Sequence, residues 1–199
     1  MTDKRIFIEQ VIGGFYHANT NDFTSAVIEI LKSDGSVDVF HRSWITSEAL
    51  YNHTDLVRDD IRELYRKGTF ELVHSKYLDY TFVSDWFVEY KEKIPIGAIG
   101  YDPYNGTALA NHLEDLGFNT IPIRQAALTL NKPTEHLIRI ESAGKITFDN
   151  MMRWYFSNVE IKSDKNTNHF PGKKKRTCSI AGFNALINAH AASLFRVTV

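Results

Sequence analysis

Asp102 is the acid best placed for chemistry in this sequence. It follows a short, wholly apolar run, Ile94 to Tyr101, and precedes Pro103. Such runs form interior strands covered on both faces, and in open α/β sheets the carboxyl ends of strands face the ligand crevice. An Asp before Pro also serves simply to make a turn, so both readings stand at this point. Asp22 lies in the polar turn after Asn19-Thr20-Asn21, where turn formation is the plainer explanation and a ligand role the alternative. Lys173-Lys174-Lys175-Arg176 is the one dense run of charge, and it follows the polar segment 163–168. Four adjacent cations are either a solvated loop or a grip on phosphate beside an acidic cleft.

Other chemistries find little support. The sequence has no G-x-x-x-x-G-K-[ST] phosphate loop, no G-x-G-x-x-G, no H-E-x-x-H and no G-x-S-x-G. Its 8 histidines are scattered, without metal-ligand spacing, so exposed or merely hydrogen-bonded roles are expected. Cys178 is the single cysteine; without a nearby base it reads as a bystander thiol. It also excludes an intramolecular disulfide framework and suits a reducing cytoplasm. No apolar run approaches about 18–20 residues, so no membrane span is expected. Met1–Arg5 leads straight into strand-like Ile6-Phe7-Ile8, without signal-peptide anatomy. Asn52-His53-Thr54 and Asn105-Gly106-Thr107 match the glycosylation pattern, with nothing to bring them to an oligosaccharide.

The elements that must position these residues are legible from periodicity. Three strand-like stretches, 6–15, 23–31 and 37–45, are joined by short turns, the second at Ser33-Asp34-Gly35, and read as an antiparallel meander. The period then changes. Leu56, Val57, Ile61, Leu64 and Tyr65 mark a helical face ended by Gly68, and Phe82, Val83, Trp86, Phe87 and Tyr90 mark a second. After the strand at 94–101, Leu109, Leu113 and Leu116 give a helix closed by Gly117, followed by a strand at 118–123. Weaker helices fall near 134–142 and 149–156, with a strand at 159–163 before the basic run. A last helix starts at Ser179 and carries Ile180, Phe183, Leu186, Ile187 and Leu194, with alanines that allow close packing on a sheet. With 199 residues, 43% hydrophobic and 24% charged, the chain is expected to form one domain over 1–199. The fold class is α/β, a mixed sheet with helices on both faces.

The ordered set of short segments resembles the nuclease domain of tailed-phage (or prophage) terminase large subunits. The likeness is carried by Ile99-Gly100-Tyr101-Asp102-Pro103-Tyr104, Arg124-Gln125-Ala126, Gly144-Lys145-Ile146 and Arg153-Trp154. It continues through Ser157-Asn158-Val159, the basic run and Ile180-Ala181-Gly182-Phe183-Asn184-Ala185-Leu186. Near the N-terminus, Gly13-Gly14-Phe15-Tyr16 with Asn21-Asp22-Phe23-Thr24 looks like that family's first active-site strand. No single piece is distinctive, but together they cover nearly the whole chain in family order. The resemblance implies an RNase H-like fold and a metal-dependent endonuclease that cuts concatemeric viral DNA during packaging in the bacterial cytoplasm. It implies two Mg²⁺ or Mn²⁺ ions about 3.5–4 Å apart, held by converging carboxylates. The implied partners are double-stranded DNA, a terminase ATPase domain, a small terminase subunit and a portal. The ATPase motor is absent from this sequence.

The chain departs from the family pattern at two of four acid positions. Asp102 and Asp22 match the family's acids and are the expected metal ligands. The first acid falls at Tyr16, or at Asp22 if the alignment is shifted, and the last falls at Ala181 in any alignment, where a methyl group ligates no metal. An engineered Asp-to-Ala change and a naturally diverged copy both account for Ala181; Tyr16 favours divergence. On this reading Lys173, Lys174, Lys175 and Arg176 hold the DNA backbone. Two alternatives remain open: a non-cleaving DNA-binding or assembly module with the same fold, and another RNase H-like nuclease such as a junction resolvase.

Overall fold

The computed structural model describes residues 5–18, 21–52 and 59–195. The meander is there: β1 (Ile8–Tyr16), β2 (Thr24–Lys32) and β3 (Val37–Thr46) pair antiparallel in succession, with Tyr16 opposite Ser25 and Thr24 opposite Trp44. Ser33-Asp34-Gly35 makes the second turn as its chemistry requires. Gly35 adopts φ +75°, a left-handed conformation that glycine tolerates, and the Asp34 carboxylate accepts from Ser36 N at 2.9 Å. The turn residues Asn19 and Thr20, the helix residues Leu56 and Val57, the N-terminal Met1–Lys4 and the His53-Thr54 dipeptide lie outside the described residues.

The rest of the chain alternates helix and strand. In order come α1 (Ser47–Asn52), α2 (Asp59–Arg66), β4 (Glu71–Val73), α3 (Thr81–Lys91), β5 (Ala98–Tyr101), α4 (Pro103–Asp115), β6 (Thr120–Pro122) and α5 (Ala127–Ser142). They are followed by β7 (Ile146–Thr147), α6 (Asn150–Ser157), β8 (Val159–Ser163), β9 (His169–Lys173) and α7 (Ala181–Phe195). The main sheet runs β4-β3-β2-β1-β5-β6, with β7 beside β3, and β8-β9 form a separate hairpin. β1 pairs parallel with β5, and β5 with β6, so the sheet is mixed.

Several elements differ from expectation. α4 starts at Pro103, six residues before its first leucine, because Asp102 caps it and proline is pre-set for the first helical turn. α5 begins at Ala127 rather than near 134; Leu130, Leu137 and Ile140 are buried in it despite Pro133 inside the helix. β4, β7 and β9 are too short, or too rich in Pro and Gly, to show a strand period.

Two apolar layers flank the sheet. On one side α3 and α4 bring Trp86, Phe87, Leu109 and Leu113 against Phe15, Ile28 and Ile99. On the other, α7 lies across β1, β2 and β5 with Phe183, Leu186 and Ile187 buried. A helix that is apolar almost all round, as α7 is, must be covered on every side. Its close approach depends on Gly14 and Gly100, which are neighbours across β1 and β5. A β-carbon at Gly14 would meet Ala185 O and lie 2.6 Å from Ala189 N; one at Gly100 would meet Asn188 O. A carboxylate–imidazole pair also ties α7 down. Glu29 and His190 are fully buried with Oε1 and Nδ1 2.6 Å apart, and His190 Nε2 lies 2.6 Å from His136 Nδ1 on α5.

Candidate active site

The carboxyl ends of β1 and β5 meet side by side. Phe15 pairs with Tyr101, so Tyr16, the last residue of β1, and Asp102, the first residue after β5, follow at adjacent strand ends. Asp102 is half-buried and caps α4, its carboxylate accepting from Tyr104 N at 3.0 Å. The turn-forming reading is therefore realised as a helix cap, and it leaves the carboxylate at the carboxyl end of β5. Asp22, just before β2, is largely buried and accepts from Phe23 N at 2.8 Å. Burial first, then the negative charges of Asp22 and Asp102, push the Tyr16 phenol up to about 12. Tyr16 thus stays a neutral phenol at physiological pH.

Ala181 opens α7 over the same end of the sheet. Along β1 the helix passes over Gly14 with Ala185 and Ala189, while His190 reaches Glu29, whose register partner is Ile12. The first turn of α7 therefore lies beyond Gly14, toward Tyr16 and Ser25. Ala181 is fully buried, and its N–H donates to Ser179 Oγ at 3.3 Å, the cap expected from the sequence. Its neighbour Gly182 packs against the ring of Tyr155.

The basic run begins in a strand and continues into a turn. Lys173 ends β9 opposite Val159, and its Nζ donates to Asp22 Oδ2 at 2.8 Å. Lys174 donates through its backbone N to Asn158 O and through Nζ to Ser157 O, at 2.9 and 2.7 Å. Lys174, Lys175 and Arg176 are exposed. Cys178 closes the turn back onto Lys175, its Sγ 3.0 Å from the Lys175 carbonyl, as befits a structural thiol. The hairpin is held against α5 by His169 N, which donates to Asn131 Oδ1 at 2.6 Å.

Behind the site lies a polar network that the sequence did not signal. Ser43 Oγ sits 2.6 Å from Ser25 Oγ, 2.9 Å from Tyr155 Oη and 2.7 Å from His41 Nε2, while His41 Nδ1 lies 3.1 Å from Asp149 Oδ2. The order Ser-His-Asp suggests a nucleophile, but Ser43 is fully buried and already shared among three partners. It is a brace. Ser25 is the register partner of Tyr16, so this brace fixes the floor of the site. A second brace is Asn188, which donates to Phe15 O at 2.9 Å and accepts from Gln125 Nε2 at 3.0 Å.

The brace makes a pH prediction. Burial raises the Asp149 carboxyl, but the hydrogen bond and charge of His41 and two backbone N–H groups outweigh it and hold it below the ordinary value. A depressed carboxyl pKa stabilises the fold above the unfolded value and loses that stability as pH falls through the folded one. Asp149→Asn keeps the α6 cap, which accepts from Met152 N, but removes the titration. Its urea midpoint is expected to fall less steeply than that of the unsubstituted protein between about pH 5 and pH 3.

A mixed sheet with its antiparallel meander, its parallel β1, β5 and β6, and a long last helix packed across it is an RNase H-like fold. The particular family follows from the match of the family described as "Terminase large subunit, endonuclease domain" over residues 6–195, and the chain belongs to that family. The fold is similar to that of the large terminase of bacteriophage HK97, at TM-score 0.79 and 20% identity over 92% of this chain. The chain spans 39% of that protein's length. It is also similar to the large terminase nuclease of thermophilic phage G20c, at TM-score 0.58 and 12% identity, covering 92% of this chain and 81% of that one. The same nuclease with bound magnesium matches at TM-score 0.56 and 12% identity, covering 92% and 80%. A comparison with curated protein sequences gives no match. No helix among the described residues is long and apolar enough to cross a membrane.

Proposed function

We propose that this chain is the nuclease domain of a phage terminase large subunit that engages double-stranded viral DNA during packaging in the bacterial cytoplasm, with its endonucleolytic step disabled. The observation that supports this reading is the placement of Tyr16 at the end of β1 and Asp102 just after the adjacent β5, with Asp22 just before β2 and Ala181 at the start of α7. These are the four positions at which the family resemblance expects acids. Terminase ATPase, small subunit and portal are the partners this assignment implies.

A pair of Mg²⁺ or Mn²⁺ ions does not fit this donor set. Hard divalent ions take six or more oxygen ligands, largely from carboxylates and water. Only two of the four positions carry a carboxylate; Tyr16 is a neutral phenol and Ala181 offers a methyl group. Among the described residues no three acids, histidines or cysteines converge on one point that could hold a metal ion. What remains is a binding surface: exposed Lys174, Lys175 and Arg176 beside Lys173, at the edge of the site.

Duplex binding measured by fluorescence anisotropy tests the reading. Affinity is expected to fall with salt, and Lys175→Ala to reduce the log–log slope by about 0.9. Supercoiled plasmid is expected to stay intact in Mn²⁺. A protein that binds no duplex at about 50 mM salt would remove the assignment.

A further inference from the structure

Asp22 is not waiting for a metal ion, because the fold already supplies it with a cation. The Lys173 ammonium reaches its Oδ2 at 2.8 Å, in a pair whose side chains are only 32% and 15% exposed. The contact joins positions 151 residues apart and is imposed by the β8-β9 hairpin, which rests on α5. Lys173 is tethered on both sides. Its β9 backbone pairs with Val159, and the following Lys174 N donates to Asn158 O. The other Asp22 oxygen accepts from Phe23 N.

We infer that Lys173 is the resident counter-ion of this site, holding Asp22 in place of a divalent ion, so that metal must compete with Lys173 for the carboxylate. The inference rests on reading Asp22 and Asp102 as the remains of the family's acidic centre. Charge balance supports it. Four carboxylates match the charge of two divalent ions, whereas two carboxylates beside one ammonium and a neutral phenol leave a single negative charge. Two like-charged carboxylates at one site repel unless a cation lies between or beside them. Loss of two acids and retention of a close lysine are thus two halves of one electrostatic change. It follows that Lys173 is committed to Asp22, while Lys174, Lys175 and Arg176 remain for phosphate.

Mn²⁺ binding, followed by calorimetry and by the electron-spin resonance of free Mn²⁺, tests this on the whole chain. Lys173→Met is expected to bind Mn²⁺ at least about tenfold more tightly than the unsubstituted protein, the scale of a partly buried ion pair removed from competition. Adding Asp22→Asn should abolish the gain. Equal affinity with and without Lys173, or a gain that survives Asp22→Asn, overturns the inference. If Lys173→Met does not fold, Lys173→Gln takes its place. About 1 mM Mn²⁺ should raise the melting temperature of Lys173→Met more than that of the unsubstituted protein, and an equal rise in both refutes the resident cation. Duplex binding by the same proteins is read separately. Its absence would remove the packaging assignment without touching the competition between Lys173 and metal.

Discussion

The double substitution Tyr16→Asp with Ala181→Asp is expected to nick supercoiled plasmid in Mn²⁺ at least about a hundredfold faster than the unsubstituted chain. A hundredfold corresponds to about 2.7 kcal/mol of transition-state stabilisation, well within what carboxylate-held metal ions supply to phosphodiester hydrolysis. The backbone frame for this is present. Tyr16 and Asp102 leave adjacent parallel strands, and Ala181 starts the helix above them. The single substitutions should behave differently. Ala181 is fully buried, so Ala181→Asp alone places a carboxylate in a dry position at the start of α7, and stability should drop until a cation binds. Its melting temperature should therefore rise with Mn²⁺. Asp102→Asn in the doubly substituted background should abolish nicking. A double variant that melts cooperatively, binds duplex and leaves plasmid intact would show that more than these two carboxylates has been lost.

Gly100→Ala is expected to cost the chain its fold, or at the least about 3 kcal/mol of stability, in a urea titration. Overpacking normally costs about 1–3 kcal/mol because side chains shift to make room. Here no side chain can give way: the new β-carbon would meet the carbonyl oxygen of Asn188, which is α7 backbone. Relief requires α7 to lift from β5. That lift would also break the Asn188 hydrogen bond to Phe15 O and part the buried Glu29–His190 pair. Gly14→Ala meets the same obstacle at Ala185 O and should be equally severe. Gly68→Ala is the control for general glycine effects. It faces open space, and its φ of +65° brings only the modest penalty of a left-handed alanine. A small, similar loss in all three would mean that α7 does not sit as close to the sheet as Gly14 and Gly100 allow.

How far the sequence foretold this structure depended on the range of the interactions involved. β1, β2 and β3 were legible because their apolar residues are continuous and their turns carry Asp and Gly. The last helix was legible because Ser179 caps a long apolar run. α5 extends further toward the N-terminus than its apolar period suggests, and Pro133 is buried inside the helix rather than at its start. β9 was invisible because His169-Phe170-Pro171-Gly172-Lys173 has neither period nor propensity; pairing with β8 makes it a strand. The acids at 22 and 102 could be named, but only the parallel pairing of β1 with β5 puts Tyr16 beside Asp102. The partnership of Lys173 with Asp22, and the network of Ser25, Ser43, His41, Tyr155 and Asp149, arise from contacts across the fold that no local pattern encodes. The significance of Ala181 came from the family likeness. A buried alanine at a helix start is otherwise ordinary.

Crystals of the unsubstituted protein soaked in Mn²⁺, with anomalous maps at the carboxyl ends of β1 and β5, give the most direct measurement of the site. The expected result is a Lys173 ammonium still on Asp22 and no peak on that carboxylate, with at most one peak elsewhere on Asp102. A peak on the Asp22 carboxylate with Lys173 displaced, alone or paired with a second about 3.5–4 Å away, would contradict a centre emptied of its metal chemistry.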